Sequence, residues 1–178
     1  ELFTVSHFVS GIHALLAHSN LEIRGHAAAL LNQRAKALME GGAVRDEDAV
    51  AFAALLPVLC GLLGEDAKLS EVVLLAIGVV GRLCAASQPD ATIASLVKVL
   101  SFARGLLAAK GTPLLAEAAL VVSGISGKLG ATVLPNLDAV VQFLGSALQR
   151  CAQATNNLAS AKHAAAENVT FFVLSAVL

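Results

Sequence analysis

Leu55-Leu56-Pro57-Val58-Leu59 returns later in the chain as Val133-Leu134-Pro135-Asn136-Leu137. Both stretches set a proline among leucines, and an echo of this kind marks a repeated unit. Outward from these two stretches, helix breakers fall at regular intervals. They are His18-Ser19-Asn20, Gly41-Gly42, Glu65-Asp66, Ser87-Gln88-Pro89, Gly111-Thr112 and Gly130-Ala131. Gly after a helix, and Asn, Asp or Thr before one, are stop and start signals. Pro89 and Pro113 sit near helix starts, where a missing N–H costs nothing. The segments between breakers read as helices over 1–17, 21–40, 46–64, 67–86, 90–110, 113–129, 134–155 and 162–178.

Helices joined by turns this short must fold back on one another as antiparallel hairpins. Taken in pairs they give four units, 1–40, 46–87, 90–130 and 134–178. The period of about 43 residues lies inside the range of HEAT and armadillo repeats. The expected fold is therefore all-α, a HEAT/armadillo-like α-solenoid of about four antiparallel helix pairs. Small residues recur in the second helix of the pairs: Ala27, Ala28, Ala76, Gly78, Gly81, Ala118, Ala119, Gly124 and Gly127. Small side chains let neighbouring helices approach closely. One pair cannot bury its apolar face alone, so stacked pairs share a continuous core.

Composition agrees with this expectation. Apolar residues make up 57% of the 178 positions, with no Trp and no Tyr. Ala, Leu and Val supply the excess, and Ala and Leu are strong helix formers. The alternating β-branched and aromatic residues that a sheet needs are scarce. Twelve basic against 13 acidic residues leave a net charge of -1, with no run of Lys or Arg. Nucleic acid binding usually needs a basic stripe, so direct contact with RNA or DNA is disfavoured. Cys60, Cys84 and Cys151 are odd in number and far apart, the pattern of a reduced, intracellular protein. A membrane span is not expected. The charge-free run 49–64 is interrupted by Pro57, and other apolar stretches carry Arg82, Lys98, Arg104 and Glu117. The chain opens at Glu1 and closes on Phe171-Phe172-Val173-Leu174-Ser175-Ala176-Val177-Leu178, an apolar run. That reads as a slice of a longer chain.

No constellation for catalysis is legible. Neither a nucleophile elbow, a P-loop nor a dinucleotide fingerprint occurs. His7, His13, His18, His26 and His163 form no i, i+4 pair and have no ligand spacing to Cys or carboxylate, so no metal is expected. No cofactor and no small-molecule substrate are expected either. Asp46-Glu47-Asp48 and Glu65-Asp66 fall at turns, where carboxylates favour a helix N-terminus. Arg34 is the odd residue. At 100° per residue, Ile23, Ala27, Leu30, Leu31 and Leu38 form one stripe with Arg34 inside it. A guanidinium there needs an acceptor, so Arg34 is expected to be paired.

Asn20-Leu21-Glu22-Ile23-Arg24-Gly25-His26-Ala27 resembles the HEAT signature, an Asp or Asn before a Val/Ile-Arg pair and an Ala. The resemblance implies that Arg24 pairs with a neighbouring acidic side chain and ties one repeat to the next. The helix from Ile23 to Arg34, ending Leu30-Leu31-Asn32-Gln33-Arg34, looks like one in the C-terminal region of the HEAT repeat-containing protein 1 family. Members of that family are large nucleolar proteins of the small-subunit processome. Leu134-Pro135-Asn136-Leu137 followed by Val141-Gln142-Phe143-Leu144 is similar to the family's Leu-Pro-x-Leu helix. Phe172-Val173-Leu174-Ser175-Ala176 resembles its following Leu-Leu-Ser-Ala helix. The likeness runs from Asn20 to the end. It implies a non-catalytic scaffold in the nucleolus, working in processome assembly and pre-18S rRNA processing. Its partners would be other proteins of a large assembly, with pre-rRNA associated indirectly. The alternative is another HEAT/armadillo adaptor, such as a nuclear-transport or trafficking subunit.

Overall fold

A computed structural model describes residues 4–42, 44–108 and 113–158. The described residues are helical with no strand among them. The α-helices are α1 (Val5–Leu16), α2 (Leu21–Glu40), α3 (Asp46–Ala53), α4 (Leu56–Leu62), α5 (Ala67–Cys84), α6 (Pro89–Ala108), α7 (Pro113–Leu129) and α8 (Leu137–Leu158). A 3-10 helix, Gly130–Asn136, joins α7 to α8. The segment 162–178, read as a last helix from sequence, lies outside the described residues, as does His163.

Local chemistry sets the boundaries. Asn20 caps α2 by accepting from the Glu22 N–H at 2.8 Å, and Asp66 caps α5 by accepting from the Leu69 N–H at 3.0 Å. Gly42, Gly64 and Gly130 adopt φ values of 67°, 92° and 55°. Only glycine takes this left-handed conformation without strain, and each lies just past a helix end.

The helix expected over 46–64 is two helices, α3 and α4, separated at Ala54-Leu55. Pro57 is the physical reason. Its ring nitrogen has no hydrogen to donate and its ring crowds the carbonyl four residues earlier, at Ala53. A proline tolerated in the first turn of α4 thus ends α3. Pro135 acts similarly. It lies in the 3-10 turn, and α8 begins at Leu137 rather than at 134. The two Leu-Pro stretches therefore share a place as well as a pattern: both sit where a helix restarts.

The helices pack in two layers. α2, α5 and α7 lie side by side, with α5 in the middle. α1, α3 with α4, α6 and α8 line up beneath them, each touching the next. Between layers α1 packs on α2, α3 and α4 on α5, α6 on α7, and α8 on α7. The core runs unbroken through both layers. Phe52, Leu31, Leu59, Ile77, Leu96, Ile125 and Phe143 are among its fully buried side chains. Phe8 of α1 meets Phe52 of α3 with ring centroids 6.4 Å apart and tilted.

The upper layer is close-packed at its middle. A Cβ on Gly78 of α5 would lie 2.9 Å from Val121 Cγ2 of α7, and one on Gly81 2.7 Å from Ile125 Cδ1. Branched side chains of α7 thus seat against bare backbone of α5. Ala28, Ala76, Ala118 and Ala119 are buried in the same layer. Gly127 is different: nothing lies within 4 Å of where its Cβ would be, so it does not serve close packing.

By length and composition alone, α6 and the stretch 113–153 are long and apolar enough to cross a bilayer, as core helices also can be. The second is not one straight helix, because the 3-10 turn interrupts it. In α6 the polarity is sided. Leu96, Val99, Leu100 and Ala103 are buried, whereas Lys98 and Arg104 are exposed.

Candidate functional site

Arg24 lies in the first turns of α2, on the side next to α5. Its Nη1 donates to Glu65 Oε2 at 2.5 Å, in the turn just before α5. The guanidinium side chain is only 15% exposed, and its Nε is buried without an acceptor among the described residues. The pair joins residues 41 positions apart and fastens the start of α2 to the start of α5.

Arg34 is a correction. It is exposed, and no ion pair or hydrogen bond holds it among the described residues. The buried stripe of α2 is Ala27, Ala28, Leu31 and Ala35. Leu30, placed in the stripe from sequence, is 48% exposed. The stripe is rotated toward Ala28 and Ala35 because α5 and α1 press on α2 from that side. Periodicity finds an apolar face but small alanines weigh little in it, so Leu30 and Leu38 drew the expected face away from the true one.

The acidic residues Asp46, Glu47 and Asp48 form the first turn of α3. Arg45 Nε and Nη2 donate to the Asp48 carboxylate at 3.0 and 3.1 Å, and Arg45 Nη1 lies 2.6 Å from Glu47 Oε1. Asp48 is buried and Arg45 exposed, so the arginine closes over the carboxylate. Ser87 Oγ donates to Asp46 Oδ1 at 2.6 Å, linking the chain after α5 to the start of α3. These carboxylates are used up in holding helix ends together.

His7 Nδ1 lies 2.6 Å from Thr4 Oγ1, and His18 Nδ1 accepts from the Asn20 N–H at 3.0 Å. No group of three or more His, Cys, Asp or Glu side chains stands ready to hold a metal among the described residues. Cys60 and Cys84 are thiols, not disulfides. Burial pushes the Cys84 thiol up to about 12 and, against the opposing pull of Lys98, the Cys60 thiol up to about 11. Cys84 Sγ donates to the Ala49 carbonyl at 3.2 Å, which joins α5 to α3. Thiols held this far from ionisation are poor nucleophiles.

Compared with protein-family models, curated proteins and solved structures, the chain finds no match.

One surface feature escaped the sequence reading. Leu30 of α2, Leu75 of α5 and Leu120 of α7 are exposed large apolar side chains, each 45 residues after the one before. Each had been absorbed into an apolar helix. The even spacing was the available signal. One turn before Leu75 and Leu120 stand Glu71 and Glu117. Partial burial, and then the nearby charge of Glu71, raise Glu117 above the usual carboxylate value. No cation pairs with either carboxylate among the described residues.

Proposed function

We propose that this chain is a segment of a HEAT/armadillo-like α-solenoid of about four antiparallel helix pairs, acting as a non-catalytic scaffold. The observation that carries the reading is the order of the layers. Each helix of the upper layer touches the next, each of the lower layer touches the next, and short turns close α1 on α2 and α4 on α5. Stacking of this kind buries a core between neighbours and leaves a long face for other proteins. The Arg24–Glu65 pair supports the same reading, since it joins the first unit to the second.

The specific role follows from the resemblance of Ile23 to Arg34 and of Leu134 to Leu144 to the HEAT repeat-containing protein 1 family. On that basis the chain belongs to small-subunit processome assembly and pre-18S rRNA processing, in the nucleolus. Its partners are other proteins of that assembly, with pre-rRNA held indirectly. The second reading is another HEAT/armadillo adaptor, a nuclear-transport or trafficking subunit, and the generic Leu-Pro-x-Leu elements favour it equally.

Affinity capture of the tagged protein from nuclear extract separates the two. Recovery of small-subunit processome proteins, with build-up of 18S precursors on depletion, is the expected result. Recovery of karyopherins or vesicle coat proteins, with normal 18S processing, would move the chain to the second reading.

A further inference from the structure

We propose that the row Leu30, Leu75 and Leu120 is a docking ridge for an amphipathic helix of another protein, one that carries lysine or arginine beside its apolar stripe. The proposal rests on the scaffold reading and names the class of partner it receives.

The three leucines are 48%, 38% and 40% exposed. They sit on three helices packed side by side and running in the same direction. Gly78 faces Val121 and Gly81 faces Ile125, so residue numbers rise together along α5 and α7. Arg24 near the start of α2 reaches Glu65 before the start of α5, so α2 runs the same way. These contacts set Leu120 within about two residues, roughly 3 Å of rise, of the height of Leu75, and the Arg24–Glu65 pair sets Leu30 about one turn nearer the helix starts, so the leucines form an oblique row across the helices. Neighbouring helix axes stand about 8–10 Å apart. Seven residues of α-helix rise about 10.5 Å. A helix lying across the layer therefore meets one leucine per heptad, the spacing at which one face of a helix repeats.

Charge fixes the other half of the match. Glu71 and Glu117 lie one helical turn from Leu75 and Leu120, on the same edge of the row. Glu71 is near enough to Glu117 to raise its carboxyl, Glu117 is partly buried, and no ion pair holds either carboxylate among the described residues. Two like charges held this way are relieved by a basic side chain from outside. Beside Glu71 and Glu117 an acidic or neutral helix gains nothing, and Arg34, exposed one turn past Leu30, confines the basic match to the Leu75 and Leu120 end of the row.

The test uses the full chain and a labelled synthetic helix of about three heptads, with Leu once per heptad and Lys one turn away on its flank. A twin peptide carries Glu in place of Lys. Fluorescence anisotropy at low salt is expected to show the Lys peptide binding at least about tenfold tighter than its twin. Leu75→Ser with Leu120→Ser should weaken the Lys peptide by about tenfold or more, with helicity and melting unchanged. Glu71→Lys with Glu117→Lys should reverse the preference, and Glu71→Lys alone, at an exposed position, serves if the double variant fails to fold. Equal binding of both peptides, no binding, or full binding by the leucine variant overturns the proposal. So does a dimer in sedimentation that Leu75→Ser turns into monomer, because the row would then belong to a second copy. Failure of processome capture with the peptide preference intact would sink the ribosomal role alone.

Discussion

Replacing Gly78 with Ala probes the contact between α5 and α7 directly. The new Cβ would stand 2.9 Å from Val121 Cγ2 and 3.6 Å from Val121 Cβ and Cγ1. Val121 is buried and β-branched. In a helix a valine has one strongly preferred χ1 rotamer, so the methyl cannot swing aside cheaply. Overpacking of this kind costs about 1–3 kcal/mol. Ala in a helix interior returns about 1 kcal/mol relative to Gly. The expected net effect is a loss of roughly 0–2 kcal/mol. The control is Gly11→Ala in α1, where nothing lies within 4 Å and only the helical gain applies. Urea unfolding of both variants, with the m-value checked for constancy, isolates the clash as their difference, about 1–3 kcal/mol. Adding Val121→Ala should relieve it, giving a favourable coupling of about 1–2 kcal/mol in the double-mutant cycle. If Gly78→Ala stabilises as much as Gly11→Ala, the two helices do not approach as described.

Three further outcomes are expected. Arg24→Met and Glu65→Gln should couple by about 0.5–1 kcal/mol in a cycle, a value that shrinks in high salt because Glu65 is partly solvated; zero coupling at low salt would show that the pair ties nothing. Phe52→Ala should cost about 3–5 kcal/mol, since the ring is fully buried between α1 and the core, and a melting shift of only a degree or two would place that ring at the surface instead. The thiols of Cys60 and Cys84 are raised by burial from 9.0 to about 11 and about 12. A raised acid is protonated more readily in the folded state, so its contribution is whole below pH 9 and fades as pH climbs through those values. Stability measured from pH 8 to 10.5 should fall at the upper end and flatten in Cys60→Ala with Cys84→Ala; native Cys84 should resist iodoacetamide at pH 8 and react fully once unfolded.

Much of the fold was legible because punctuation and composition agree. Asn20 and Asp66 announced caps that their side chains make, and Gly41-Gly42 and Gly130 announced turns that need left-handed backbone. The split of 46–64 was hidden, because a proline can begin a helix as well as end one and only packing decides which. The burial of α2 was misjudged for another reason. Its core face is alanine-rich, so hydropathy pointed to Leu30, which packing leaves in water. Arg34 was placed by that same error. Partners across space, such as Glu65 for Arg24, carry no local signal at all. The leucine row was legible only as equal spacing, which a reader of single helices passes over.

The common direction of α2 and α5 has an electrostatic consequence. Parallel helices align their peptide dipoles, so both N-termini, each worth about half a positive charge, gather at one edge of the layer. Aligned dipoles repel one another side by side. The acidic residues at that edge, Glu22 in the first turn of α2 and Glu65 and Asp66 ahead of α5, offset the field. The charge at that edge is therefore balanced locally, and neutralising those carboxylates would loosen the edge where α2 and α5 begin.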